Sequence, residues 1–435
     1  MTQPFMKPAP KNPVLRTPQL NLPPSARGRV ALGLTAAAAE GRFALQVCAE
    51  CGAVQYPPRE ACHRCLSPDL PWQPLDGAGE LLASTTLAHS NDLYFRERLP
   101  WRLGMVRLDA GPSVMVHLHG DAAAQQALPC RVQVQARLDR SGLAVLVACP
   151  EKGTPNMADD PLLREMASDP RYRKVLVTDG KSAVGQAVVH ALVRAGADLV
   201  WVGHAEPWKQ LPGPAGSGSA GSGPAGSGLA GLAALPQVSL VPLDVTDERS
   251  VSTLAGRIGG KVDIVVNTAE LHRGFGIAAR RGTDVAKAEM EVNYFGLLRL
   301  AQCFGPALKG RAADGATHAT AWVNLLSVYA LANFPAHGTF SASKAAALSL
   351  AQCLRAEMQP AGIRVVNVFP GPIDDEWNQN LPPPKLAPAA LASAIVQALR
   401  DGVEDIYPGD VAQEWRQRWR HDPKVLEREL AAGGL

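Results

Sequence analysis

Four cysteines fall in two pairs, Cys48-x2-Cys51 and Cys62-x2-Cys65, with ten residues between the pairs. At this spacing two tight turns bring four thiolates to the corners of one tetrahedron, and four sulfur ligands leave no open position for water or substrate. The pattern therefore predicts a structural zinc site. A redox C-x-x-C is the competing chemistry, and it expects one pair to open a helix in a thioredoxin-like unit. His63 lies between the ligands and is expected to face solvent. Cys130, Cys149, Cys303 and Cys353 stand singly in apolar contexts, as small buried hydrophobes do.

A second constellation comes late in the chain: Ser327, Val328 and Tyr329, then Phe340, Ser341, Ala342, Ser343 and Lys344. This stretch resembles the Ser, Tyr-x-x-x-Lys signature of the short-chain dehydrogenase/reductase family, with Phe340 at the tyrosine position. The resemblance runs from Arg173 to about Asp410. It matches Asn293, within Glu291-Val-Asn-Tyr-Phe-Gly, to the helix asparagine of the proton relay, Ser327 to the carbonyl-polarising serine and Lys344 to the active-site lysine. In that family the tyrosine hydroxyl, its pKa lowered from about 10 by the lysine, exchanges a proton with the substrate oxygen while hydride moves to or from nicotinamide. A phenyl ring does neither. Loss of one general acid costs ~10²- to 10⁴-fold in rate, and Tyr329, fifteen residues before Lys344 rather than four, belongs to another element.

The same resemblance implies a cofactor-contacting set of Thr178, Gly180, Gly185, Asp244, Val245, Asn267, Lys344, Pro370 and Gly371 for NAD or NADP. Several positions depart from it. Thr178-Asp-Gly-Lys-Ser-Ala-Val-Gly185 stands where the family has Thr-Gly-x-x-x-Gly-x-Gly, so Asp179 and Ala183 replace two glycines that let the pyrophosphate approach a helix N-terminus. Asn267-Thr-Ala-Glu270 stands for Asn-Asn-Ala-Gly, and Gly203-His204 offers neither the acid that favours NAD nor the arginine that favours NADP. A Gly/Ser/Pro tract, 211–228, replaces a crossover helix near the adenine end. Together these features disfavour ordinary dinucleotide binding.

The elements that must position these residues divide the chain. With 435 residues, 46% hydrophobic and 19% charged, two domains with separate cores are expected. Residues 1–30 are proline-rich and predict a mobile arm or docking tail. Residues 31–150 hold the cysteines and then alternating runs typical of strands: Glu80 to Leu87, Arg102 to Leu108, Ser113 to Leu118, Arg131 to Leu138 and Ala144 to Cys149. A zinc ribbon followed by a small antiparallel barrel is expected there. Residues 151–172 read as a polar linker, and residues 173–435 as a doubly wound α/β domain. In that domain apolar runs such as Val175 to Thr178, Leu199 to Val202 and Val365 to Phe369 alternate with helical patterns such as Ala342 to Met358. The C-terminal Trp415, Trp419 and Leu426 are expected to pack on the domain or on a partner, since mixed charges argue against a membrane-surface helix.

The string from Cys48 through Tyr56-Pro57-Pro58-Arg59 to Cys65, with the strands up to Pro150, resembles a zinc-ribbon plus OB-fold family associated with acyl-CoA metabolism. That resemblance implies a noncatalytic partner of thiolase-like enzymes that carries or shapes an acyl-CoA site. The leading expectation is thus an accessory subunit joined to a dehydrogenase-like pseudoenzyme, docking a thiolase-like enzyme or an active dehydrogenase subunit. The alternatives are an active NAD(P)-dependent oxidoreductase acting on acyl-CoA esters and an OB-fold nucleic-acid binder. A net charge of +3 with scattered basic residues gives little support to the last. No run of 18 apolar residues occurs and no secretory h-region opens the chain, so a cytoplasmic protein without a membrane span is expected. Oligomers, identical or mixed, are implied through the helices around Asn293 and Ser343.

Overall fold

The computed structural model describes residues 5–7, 22–24, 27–123, 127–153, 156–205, 228–274, 276–279, 281–313 and 318–433. The chain folds as two compact units: the first runs to Asp169 and also takes in Ala398–Glu404, and the second comprises Pro170–Gln397 with the residues from Asp405 onward.

The first unit opens with α1 (Leu32–Ala39) and a three-stranded antiparallel ribbon sheet, β1 (Ala44–Val47), β2 (Val54–Gln55) and β3 (Trp72–Pro74), ordered β2-β1-β3. Then come β4 (Ala78–Leu87), the short α2 (Leu93–Arg96), β5 (Trp101–Leu108), β6 (Ser113–Leu118), the short α3 (Gly120–Ala123), β7 (Cys130–Leu138) and β8 (Ala144–Pro150). These strands close into a barrel in the order β4-β5-β6-β8-β7. Period-two alternation drives the closure: along β7, Val132, Val134, Ala136 and Leu138 all point inward and meet Val106, Val114 and Leu146 in one core. The five strand-like runs of the sequence correspond to these five strands.

Two segments of this unit are better packed than their composition suggests. Within the stretch read as a linker, Met157, Leu163 and Met166 are buried against Val147 and Cys149. Asp160, fully buried, accepts the amide of Gly120 and pairs with Arg102. Phe5, in the arm expected to be mobile, is only 4% exposed, with the Arg164 guanidinium 4.3 Å above its ring.

The second unit is a seven-stranded parallel sheet. Its strands are β9 (Lys174–Val177), β10 (Leu199–His204), β11 (Val238–Pro242), β12 (Ile264–Asn267), β13 (Ala321–Leu325), β14 (Arg364–Val368) and β15 (Asp405–Ile406), ordered β11-β10-β9-β12-β13-β14-β15. Every residue of β12 and β13 is buried, as expected where helices cover both faces. The helices are α4 (Ala183–Arg194), α5 (Leu229–Ala233), α6 (Glu248–Ile258), α7 (Asp284–Met290), α8 (Gly296–Arg311), α9 (Gly338–Met358), α10 (Pro388–Asp401), α11 (Asp410–His421) and α12 (Pro423–Ala431). Of the Gly/Ser/Pro tract only Gly228 falls within the described residues. The two-residue β15 is too short to leave a sequence signal. Among the described residues no helix is long and apolar enough to cross a membrane.

Candidate functional site

In the ribbon, the four cysteine sulfurs all lie within 4.8 Å of one another. Cys48 Sγ is 3.5 Å from Cys65 Sγ, and Cys51 Sγ is 3.6 Å from Cys62 Sγ. A tetrahedron with Zn–S bonds of about 2.3 Å has S···S edges of about 3.8 Å, so the cluster fits zinc. Both knuckles turn alike: the amides of Gly52 and Leu66 bond back to the carbonyls of Cys48 and Cys62, and both residues adopt positive φ, 69° and 63°. His63 stands outside the cluster of ligand atoms, and its Nδ1 lies 3.2 Å from Gln55 Oε1. Four thiolates would complete the coordination sphere of zinc and leave it a structural role.

In the second unit, the sheet order reverses between β9 and its neighbours β10 and β12, which opens a crevice at the carboxyl ends of these strands. A cavity of about 400 Å³ lies there, walled by Thr178, Asp179, Asp244, Val245 and Glu270 among others. The loop after β9 is laced to the loop after β12. Thr178 Oγ1 donates to Asn267 Oδ1 (2.9 Å) and accepts the amides of Thr268 (3.0 Å) and Ala269 (3.1 Å). Gly180 is required by close approach, since a Cβ there would lie 2.0 Å from Val202 Cγ1; a Cβ at Gly185 would lie 1.9 Å from Asp179 O. Packing alone thus accounts for both glycines.

Asp179, one of the glycine replacements, is tied back to the chain. Its Oδ1 accepts the Lys181 amide at 3.0 Å, and Ser182 supplies further hydrogen bonds to the same carboxylate. The Ser182 hydroxyl in turn caps α4 by accepting the Gly185 amide at 3.0 Å. Burial raises the Asp179 pKa and these donors pull it back. The start of α4, where an anion would find free N–H groups, therefore already holds a carboxylate of the chain itself.

Glu270, the other charged intruder, has a partner that sequence spacing did not reveal. Its carboxylate lies 2.7 Å from Lys344 Nζ, with the lysine side chain 2% exposed. The ammonium also donates to Leu325 O at 3.0 Å and sits 5.4 Å from the centre of the Phe340 ring. His272 stacks on that ring at 3.7 Å and bonds through Nε2 to Nδ1 of His337. Burial, reinforced by the charges of His337 and Lys344, pushes the His272 pKa down to about 2, so the imidazole is neutral. Tyr329 lies edge-on to Phe340 at 6.3 Å and packs on Phe334 and Trp415. Among the described residues its hydroxyl is buried with no hydrogen-bond partner, and burial raises its pKa. The two histidines and the aromatic wall went unremarked in the sequence, where nothing in their spacing distinguishes them.

The remaining expected residues are engaged locally. Asn293 sits in a π-helical turn spanning Glu291–Phe295; it accepts the Leu271 amide and donates to Leu271 O and Ser343 Oγ, pinning the loop after β12 to α9. Ser327 accepts the Tyr329 amide at 3.2 Å as the cap of a short turn. Asp244 closes its own turn by accepting the amide and hydroxyl of Thr246, and Val245 packs beside Gly296. Pro370 accepts the Val328 amide, and Gly371 lies against Val411. The structure thus brings Lys344, Phe340 and Glu270 together, while Ser327 and Asn293 serve turns and loops beside them.

Comparison with known proteins places both units. Residues 227–385 match the short chain dehydrogenase family model. A short chain dehydrogenase from Burkholderia cenocepacia J2315, solved in complex with NADP, is 32% identical, with a TM-score of 0.50 over 60% of this chain and 98% of that one. The chain belongs to the short-chain dehydrogenase family. Ahead of that domain it carries two others: residues 35–71 match the rubredoxin-like zinc ribbon of ChsH2, and residues 72–139 its C-terminal OB-fold domain. Short-chain dehydrogenase PC-15 of Penicillium crustosum is 36% identical over 35% of this chain and 56% of its own length. Mouse dehydrogenase/reductase SDR family member 7B is 28% identical over 48% of this chain and 60% of its own. The chain spans little more than half the length of the curated relatives it matches.

Proposed function

We propose that this chain is an accessory, noncatalytic subunit of acyl-CoA metabolism, in which a zinc-ribbon/OB module engages acyl-CoA and a thiolase-like or active dehydrogenase partner. In this reading the dehydrogenase-like unit serves assembly rather than hydride transfer. The observation that carries the proposal is the Glu270–Lys344 pair beneath Phe340. The family's lysine is already neutralised by an internal carboxylate, and the ring beside it has no exchangeable proton. Asp179 at the start of α4 supports the same reading, because a pyrophosphate arriving there would have to displace a carboxylate and meet its charge. On these grounds the residues present do not fit an ordinarily bound NAD or NADP.

The test is fluorescence titration of NADH and NADPH on the full chain, on Phe340→Tyr, and on a variant combining Asp179→Gly, Ala183→Gly and Glu270→Gly. The expected result is no binding at millimolar cofactor for wild type or Phe340→Tyr, with binding restored in the glycine variant. Micromolar binding and turnover by wild type would overturn it. Purification from the native host should then recover a thiolase-type enzyme or a second dehydrogenase chain.

A second reading, an active NAD(P)-dependent oxidoreductase, draws on the cavity of about 400 Å³ that persists at the strand ends and on the NADP complex of the Burkholderia relative. It requires a proton donor other than residue 340. The titration decides between the two.

A further inference from the structure

One strand of the barrel runs on past its second neighbour. β4 pairs with β7 only through Ala78–Leu81, but with β5 from Gly79 to Leu87. The β4–β5 register slips at Leu82, and Pro129, which would continue the β7 ladder beyond Cys130, has no N–H to give. Among the described residues only β5 pairs with Ala83–Leu87, and every residue from Leu82 to Leu87 is exposed. Alternate residues of an antiparallel strand aim their N–H and C=O groups away from the neighbour they already have, so this overhang presents an unpaired backbone edge. Proteins ordinarily blunt such an edge with charged side chains or proline. Here the run from Leu81 to Asn91 contains no Asp, Glu, Lys, Arg or Pro. Leu87, Met105 and Met115 are 42%, 40% and 59% exposed; Ala83 stands opposite Met105 and Met105 opposite Met115, so an apolar stripe crosses three strands up to this edge.

The order of side chains along the overhang points to its occupant. In an antiparallel pair, hydrogen-bonded and non-hydrogen-bonded positions alternate. A two-fold axis maps each position onto one of its own kind, so two identical strands pair symmetrically only where some residue faces its own copy. With Thr85 at that point, Ser84 faces Thr86, Ala83 faces Leu87 and Leu82 faces Ala88: hydroxyl meets hydroxyl and apolar meets apolar at every pair. Centring on Ser84 instead sets Leu82 against Thr86 and Ala83 against Thr85, and centring on Thr86 sets Leu87 against Thr85 and Ala88 against Ser84. No other centre within Ala83–Leu87 matches throughout. The chain's own N-terminal arm is a poor competitor, since Pro8, Pro10, Pro13 and Pro18 bring no N–H to a ladder.

We infer that two copies of this chain join edge to edge along the overhang of β4, about a two-fold axis through Thr85. The pairing extends one sheet across both copies, satisfies the open backbone groups and closes after two chains. It belongs to the first unit, whereas the helices around Asn293 and Ser343 belong to the second. The inference goes beyond the accessory reading, which neither requires this interface nor depends on it.

Sedimentation velocity on the zinc-loaded full chain, from micromolar to near-millimolar concentration, tests it through charge at position 85. Thr85→Lys and Thr85→Glu, each alone, set like charges against each other across the axis and should weaken self-association about tenfold, giving a smaller mass than wild type at the same concentration. An equimolar mixture of the two sets Lys against Glu and should recover the wild-type mass. A misfolded variant has no way to recover on mixing, so recovery separates lost pairing from lost fold. The double variant Ser84→Lys, Thr86→Glu carries both charges in one chain, opposite each other in this register, and should also keep the wild-type mass. Agreement between wild type and both Thr85 variants at every concentration would overturn the interface. Loss in those variants, with no recovery in the mixture and none in the double variant, would overturn the pairing of Thr85 with its own copy.

Discussion

Lys344 is a buried cation paired with the carboxylate of Glu270, so the interior of the second unit is sensitive to changes at Glu270. Glu270→Gln should destabilise the protein by about 3 kcal/mol, because it strands a desolvated ammonium. Urea denaturation would measure this, and adding Lys344→Met should recover much of the loss. His272 provides a second residue-scale expectation. The unfolded chain takes up its proton near pH 6.5, whereas the folded form resists down to about 2. Below pH 6.5 the unfolded state therefore binds more protons, and stability falls with pH at up to about 1.4 kcal/mol per unit. His272→Phe, which keeps a ring on Phe340, should flatten that slope in urea midpoints taken from pH 7 to pH 4. Phe340, Asp179 and Glu270 were legible in the sequence as departures, since each stands in a motif that names what it replaces. Their partners were not. Lys344 meets Glu270, and His272 meets His337, only once strands and helices far apart in the chain are stacked.

At the level of elements, alternation and apolar runs located the barrel strands and most of the parallel sheet to within a residue or two, because burial on one or both faces leaves a pattern of period two or a continuous run. The pattern fails where an element is held by other means. The connector 151–172 has polar composition, yet a few methionines and leucines and the buried Asp160 fix it. The knuckle turns offer a test of local geometry. Leu66 repeats the left-handed conformation of Gly52 although it carries a side chain, and that side chain is 77% exposed with little packing to lose. A left-handed non-glycine residue costs roughly 1–2 kcal/mol, part of which glycine gives back through its freer unfolded state. Leu66→Gly should therefore raise stability by about 0.5 kcal/mol, read as a higher urea midpoint of the zinc-loaded protein.

For the molecule as a whole, each unit has its own core, and zinc bears on one of them. A ribbon sheet of three short strands holds few apolar side chains, so thiolate ligation supplies stability that packing does not. Chelation should abolish hydrogen-exchange protection at the knuckle amides of Gly52 and Leu66, measured on the full chain. Protection at β12 and β13, buried on both faces, should be unchanged.

The carboxylate at the start of α4 has a consequence beyond the cleft. A protein that binds a nucleotide only when folded gains stability from it in proportion to the logarithm of its concentration. Here Asp179 accepts the Lys181 amide in the turn leading into α4, and Ser182 accepts that of Gly185. On the noncatalytic reading proposed above, such a fold holds its shape through covalent neighbours that cannot diffuse away, and its persistence in a cell would be uncoupled from swings in the nucleotide pool.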